Sequence, residues 1–95
     1  FKLDRGDESF VVDRMTSAER NGFPVAYAEA AFRAAQRVHP GDSALLARAG
    51  YTGSSRYTTI WGGDITPTEW GLRSSIIGVQ RASVLGFPYW GSDTG

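Results

Sequence analysis

The sequence predicts an α/β protein built on a parallel sheet covered by helices. Three observations carry that prediction. Strand-like and helix-like segments alternate in the order strand, helix, strand, strand, helix, strand. The strand segments are too apolar to alternate between a wet and a dry face, as expected of strands covered on both sides. The helical segments are amphipathic, with apolar residues at three- and four-residue steps.

Each element has its local reason. Phe1-Lys2-Leu3 reads as the end of a strand and runs into the turn-prone Asp4-Arg5-Gly6-Asp7. Residues 9–20 hold the apolar run Phe10-Val11-Val12 between polar flanks and are read as loop. From residue 24 to 38 the pattern is helical. Ala28, Ala31, Phe32, Ala35 and Val38 line one face, and Glu29 and Arg33 form a favourable i,i+4 pair on the other. His39-Pro40-Gly41 ends that helix, with His39 as a C-terminal cap. Residues 44–47 have the length of a buried strand, 51–56 form a loop, and the β-branched and aromatic residues 57–61 form the next strand.

The second helix is expected over residues 67–85. Thr66 is its cap, Pro67 its first residue and Glu69 the reciprocal partner of a capping box, with Gly86 as the stop. Trp70, Ile77 and Val84 supply bulk, while Gly71, Ser74, Ser75 and Gly78 let the helix approach the sheet closely. Residues 87–90 form the last strand, with Pro88 near its start. Between residues 47 and 57 there is no room for a covering helix, so that crossover must be a loop.

The bulk numbers narrow the partners. The chain has 95 residues, no cysteine, and ten basic against ten acidic side chains. Zero net charge removes the usual argument for nucleic acid or an anionic membrane as partner. No apolar run approaches the roughly 20 residues that span a bilayer. Without cysteine there is neither a disulfide framework nor a thiolate-bound metal, and neither cofactor nor metal is expected. The chain opens inside a strand-like run at Phe1 rather than at a methionine, and is read as an interior piece of a longer protein. Localisation and oligomeric state stay open.

In parallel α/β folds, chemistry collects at the C-terminal ends of the strands. That rule selects Asp4, Arg48, Asp64 and Asp93, each at or just past a strand end. One loop aspartate is explained by bonds from its side chain to nearby amides. Four strands ending in a charged residue point to a shared site. Carboxylates, an arginine and nearby aromatics (Trp61, Tyr89, Trp90) suit sugar chemistry. One carboxylate can attack the anomeric carbon, another can protonate the departing oxygen, and a guanidinium can hold hydroxyls. Trp61 is read either as core or as a platform beside Asp64. Neither glycine-rich phosphate-binding pattern is present.

The run "RAGYTGSSRYTTIWGGDITPTEWGLRSSIIGVQRASVLGFPYWGSDTG" resembles glycoside hydrolase family 31, whose members are retaining α-glucosidases, α-xylosidases and some α-galactosidases. The resemblance spans residues 44–95. "FKLDRGDE" looks like the same family's nucleophile segment, K/W-x-D-x-G/N-E, with Asp7 where the family usually has glutamate. The resemblance implies part of a (β/α)8 TIM barrel, approximately strands four to seven with two covering helices. The 95 residues would then be one fragment of a single catalytic barrel domain, incomplete at both ends and inactive in isolation.

By the same resemblance Asp4 is the nucleophile and Asp64 the general acid/base. Lys2, Arg48, Trp61 and Asp93 bind substrate, an oligosaccharide or glycoside. The position of Lys2 is tryptophan in many α-glucosidases and basic in some xylosidase and galactosidase branches. Arg5, bulky and next to the nucleophile, is expected to narrow the pocket. The implied activity is that of a retaining, exo-acting α-glycosidase. A non-catalytic carbohydrate-binding relative and a lyase of the same family are the alternatives.

Overall fold

A computed structural model describes residues 1–6 and 13–93. The expected loop at Phe10-Val11-Val12 and the residue Asp7 lie outside the described residues. The elements are β1 (Lys2–Leu3), α1 (Ser17–Val38), β2 (Leu46–Ala47), a 3-10 turn (Ser54–Arg56), β3 (Thr59–Trp61), α2 (Glu69–Val84) and β4 (Trp90–Gly91). The four strands form one sheet in the order β1-β2-β3-β4, every neighbour parallel. The helix-free crossover between β2 and β3 is there as expected, closed by the 3-10 turn.

Register decides which side chains share a face. Lys2 pairs with Leu46, and Leu46 with Thr59; Leu3 pairs with Ala47, Ala47 with Ile60, and Ile60 with Trp90. Side chains alternate along a strand, so Leu3, Ala47, Ile60 and Trp90 share one face. That face carries the core: Ala47 and Ile60 pack with Ala82 and Phe87, and Leu3 and Trp90 close around them. The other face carries Lys2 and, two residues further on, the positions of Asp4, Arg48 and Trp61.

Helix α1 begins seven residues earlier than the apolar pattern suggests. Thr16 caps it in a complete capping box: its hydroxyl accepts from the Glu19 amide, and the Glu19 carboxylate accepts from the Thr16 amide at 2.8 Å. The Thr16 hydroxyl also donates to the Glu19 carboxylate at 2.7 Å, and that bond first, then the Thr16 amide, holds the Glu19 carboxyl below its ordinary range. Pro24 therefore sits inside the helix, not at its start. Ala28 and Ala35 are buried as expected, whereas Val38, at the last turn, is exposed. The Glu29–Arg33 pair forms at 2.6 Å, and the His39 amide caps the end by donating to the Ala35 carbonyl.

Helix α2 begins two residues later than expected, because Thr68 rather than Thr66 is the cap. The Thr68 hydroxyl accepts from the Gly71 amide at 3.1 Å, while its own amide donates to the Thr66 carbonyl. The Thr66–Glu69 box is not the one that starts the helix. The small residues do face the protein, as expected: a Cβ on Gly78 would stand 3.1 Å from the Trp90 ring, and one on Gly71 would overlap the Thr66 carbonyl oxygen. The bulky ones do not all follow. Ile77 is half-buried, but Trp70 and Val84 are exposed, so the helix meets the sheet through its narrow stripe instead.

Two strands are shorter than their apolar runs, for one reason. The amides of Tyr57 and Thr58 both donate to the Ser54 carbonyl, so the ladder starts only with the Thr59 amide donating to Leu45. Likewise the Phe87 amide is spent on the Ala82 carbonyl and Pro88 has none, so pairing starts at the Tyr89 carbonyl.

Candidate active site

The six residues selected from the sequence come together at the C-terminal ends of the strands. Asp4 follows β1, Arg48 follows β2, Trp61 ends β3, and Asp93 lies two residues past β4. Asp64 stands in the turn between β3 and α2. The Arg48 guanidinium lies between the two carboxylates, with Nη1 3.3 Å from Asp4 Oδ1 and 3.3 Å from Asp64 Oδ2. Those two oxygens are therefore no further apart than two 3.3 Å contacts laid end to end. Both carboxylates are solvent-exposed, and the arginine beneath them is mostly covered.

Lys2 and Asp93 form the second half of the cluster. Lys2 Nζ is 3.3 Å from both carboxylate oxygens of Asp93 and stands 4.1 Å above the Trp61 ring centroid, in cation–π contact. These residues flank the outermost strands. In a flat sheet, at about 4.8 Å per strand, they would stand about 14 Å apart, further than the two side chains reach across. A sheet curled over Trp61 as in a barrel wall, or the loop after β4 turning back across the sheet, closes that span.

Trp61 is buried, with only 3% of its surface exposed. It is thus buried on the face opposite the Ala47–Ile60 core, as the floor beneath Lys2. Its indole N–H finds no acceptor among the described residues. The other two aromatics are elsewhere. Trp90 lies on the helix-facing side against Gly78 and Gly62, and Tyr89 precedes β4, at the far end of the strand from Asp93. Neither belongs to the site, because strand pairing sets their face and depth whatever their distance in sequence.

Backbone conformation fixes the two carboxylates. Arg5 has φ 69°, the one positive φ outside glycine among the described residues, followed by Gly6 at 97°. The turn puts the Arg5 amide 2.8 Å from Asp4 Oδ1. Gly63, with φ 74°, sits directly before Asp64 and against the Arg48 side chain, where a Cβ would be 3.4 Å from Nε. Beside the cluster an open hollow of about 640 Å³ is lined by Ile65, Thr66, Thr68, Glu69, Ser92 and Asp93.

Sequence reasoning did not single out Tyr27. From α1 its ring covers Gly6 and its hydroxyl donates to the Asp4 carbonyl at 3.5 Å.

A model of the glycosyl hydrolases family 31 TIM-barrel domain matches residues 6–95. The alpha-glucosidase of Saccharolobus solfataricus is 38% identical over 76 residues, 80% of this chain and 11% of that protein. The 1,3-alpha-isomaltosidase of Kribbella flavida is 33% identical over 99 aligned positions, covering 98% of this chain and 14% of that protein. The alpha-xylosidase of Saccharolobus solfataricus is 30% identical over 76 residues, 79% and 10% respectively. The chain thus spans 10–14% of the length of these relatives. A parallel sheet with charged residues clustered at its strand ends and a match over nearly its whole length agree: this chain belongs to glycosyl hydrolase family 31, within the TIM-barrel domain.

Proposed function

We propose that these residues are part of one catalytic barrel, corresponding to strands four to seven, in a retaining, exo-acting α-glycosidase. Asp4 attacks the anomeric carbon to form a glycosyl-enzyme, and Asp64 protonates the departing oxygen. Asp64 then takes a proton from the incoming water. Arg48, Lys2 and Asp93 bind sugar hydroxyls, with Trp61 beneath them.

The observation that carries this reading is the single guanidinium nitrogen in contact with both carboxylates. Its two contacts keep the nearest carboxyl oxygens within two 3.3 Å contacts of each other, a span that includes the ~5–5.5 Å spacing of retaining glycosidases. Relatives that act on α-linked glucose, isomaltose-type and xylose units support the α-glycoside class. The ammonium of Lys2 beside Asp93 offers a donor and an acceptor to sugar hydroxyls.

The test is covalent trapping. A mechanism-based fluorinated α-glycoside added to the full-length enzyme should label Asp4 in stoichiometric amount, identified by peptide mass spectrometry. A label on Asp7 or Glu8, or no label with inverted product stereochemistry, refutes the assignment.

A further inference from the structure

We infer that Tyr27 is a positioning residue for the Asp4 carboxylate, acting through the turn that follows it; this rests on the nucleophile role proposed for Asp4. Arg5 stands in the left-handed region, where a side chain crowds its own backbone, so something must hold it there. Gly6, also left-handed and buried, is wedged between two elements. Its Cβ position lies 3.3 Å from Tyr27 Cδ1 on one side and 3.5 Å from the Ala49 methyl on the other.

Ala49 follows β2 and is itself buried, so it is the fixed jaw. Tyr27 is the jaw supplied by α1, stacked on Phe23 with ring centroids 6.0 Å apart and planes 8° from parallel. The same tyrosine donates its hydroxyl hydrogen to the Asp4 carbonyl. What the clamp holds in place is the Arg5 amide, whose bond to Asp4 Oδ1 at 2.8 Å is shorter than the 3.3 Å contact from Arg48. If the turn relaxes, that amide swings away and the carboxylate loses its tighter anchor. A carboxylate that must meet an anomeric carbon in line tolerates little of this: misplacement by about 1 Å costs on the order of a hundredfold in rate.

The experiment uses the full-length enzyme and a 5-fluoroglycosyl fluoride of its preferred sugar, whose fluoride departs with little acid assistance. The first-order rate of Asp4 labelling therefore reports the nucleophile rather than Asp64. Tyr27→Ala should label about 10- to 100-fold more slowly, with the half-saturating reagent concentration unchanged. Tyr27→Phe keeps the ring and should stay within about threefold, since the bond it loses is long and weak. Tyr27→Leu preserves apolar bulk, guards against a folding failure, and should also be slow. Phe32→Ala perturbs the same helix where it packs on the Tyr57 ring, more than a turn beyond Tyr27, and should label at the native rate.

The inference is overturned if Tyr27→Ala and Tyr27→Leu label as fast as the native enzyme. It is equally overturned if Phe32→Ala slows labelling as much as they do, or if Tyr27→Phe is as slow as Tyr27→Ala. Failure of the nucleophile assignment looks different: the native enzyme then carries no label on Asp4 at all.

Discussion

Two glycines inside helices should respond to alanine with opposite signs. Gly22, in α1, has nothing within 4 Å of its Cβ position. Gly22→Ala should therefore gain the full helix-propensity difference, about 1 kcal/mol. Gly71, in the first turn of α2, packs on the Thr66 carbonyl oxygen and the Ile65 side chain so closely that a methyl group overlaps the former. Backbone atoms cannot rotate aside, so the Thr66–Thr68 segment must shift, and the Thr68 hydroxyl loses the Gly71 amide. Overpacking costs about 1–3 kcal/mol and a lost cap about 1, against a propensity gain of at most about 1, leaving a net loss of about 1–3 kcal/mol. Thermal unfolding of the full-length variants reads the sign: the midpoint rises for Gly22→Ala and falls for Gly71→Ala. Because the displaced segment follows Asp64 directly, Gly71→Ala should also lower kcat on disaccharides. An unfolding midpoint for Gly71→Ala equal to or above that of Gly22→Ala would refute the packing argument.

Asp64→Ala should cripple cleavage of disaccharides, whose alkoxide leaving groups need a proton, while aryl glycosides of acidic phenols lose much less in the glycosylation step. Added azide should then accelerate turnover of that variant and yield the β-glycosyl azide; equal loss on both substrates with no azide effect assigns Asp64 to binding instead. The isolated 95 residues should show no cooperative thermal transition, since β1 and β4 each keep an unpaired edge and Trp70, Leu72 and Val84 lie exposed. Dispersed amide resonances with a sharp melt would contradict this. The Glu19 carboxyl is held below its ordinary range in the folded helix, so its contribution is present above that range and lost as pH falls through the lowered value. The helicity of a peptide spanning residues 13–42 should drop on acidification more than that of its Glu19→Gln counterpart; parallel titrations of the two would count against the capping box.

Much of the site was legible because its residues sit where strand order and period alone determine position. Asp4, Arg48 and Trp61 needed only the strand ends and a common parity to be placed together. The errors arose where one local rule competed with another. The spacing of apolar residues put the start of α1 at Pro24, but a capping box seven residues upstream overrode it, and the proline was absorbed into the helix. Thr66 and Thr68 are both good caps. The choice between them was made by Gly71, whose missing side chain admits the Thr66 carbonyl. Tyr89 and Trp90 read as site aromatics because they are near Asp93 in sequence, yet a strand separates near in sequence from near in space. The hold of Tyr27 on the Asp4 turn could not be read at all. It depends on a left-handed arginine, a conformation that sequence does not announce.

The ion pair between Lys2 and Asp93 has a consequence for the sugar binding proposed above. Both side chains are about half exposed, and an ion pair so placed is worth about 0–1 kcal/mol. While no sugar is present, each partner meets the other's charge, and Lys2 also rests on the Trp61 ring. A hydroxyl inserted between them accepts from the ammonium and donates to the carboxylate, replacing one weak contact with two charge-assisted ones. The pair works as a latch that keeps its own keyhole in shape: inexpensive to open, yet already oriented for whatever opens it.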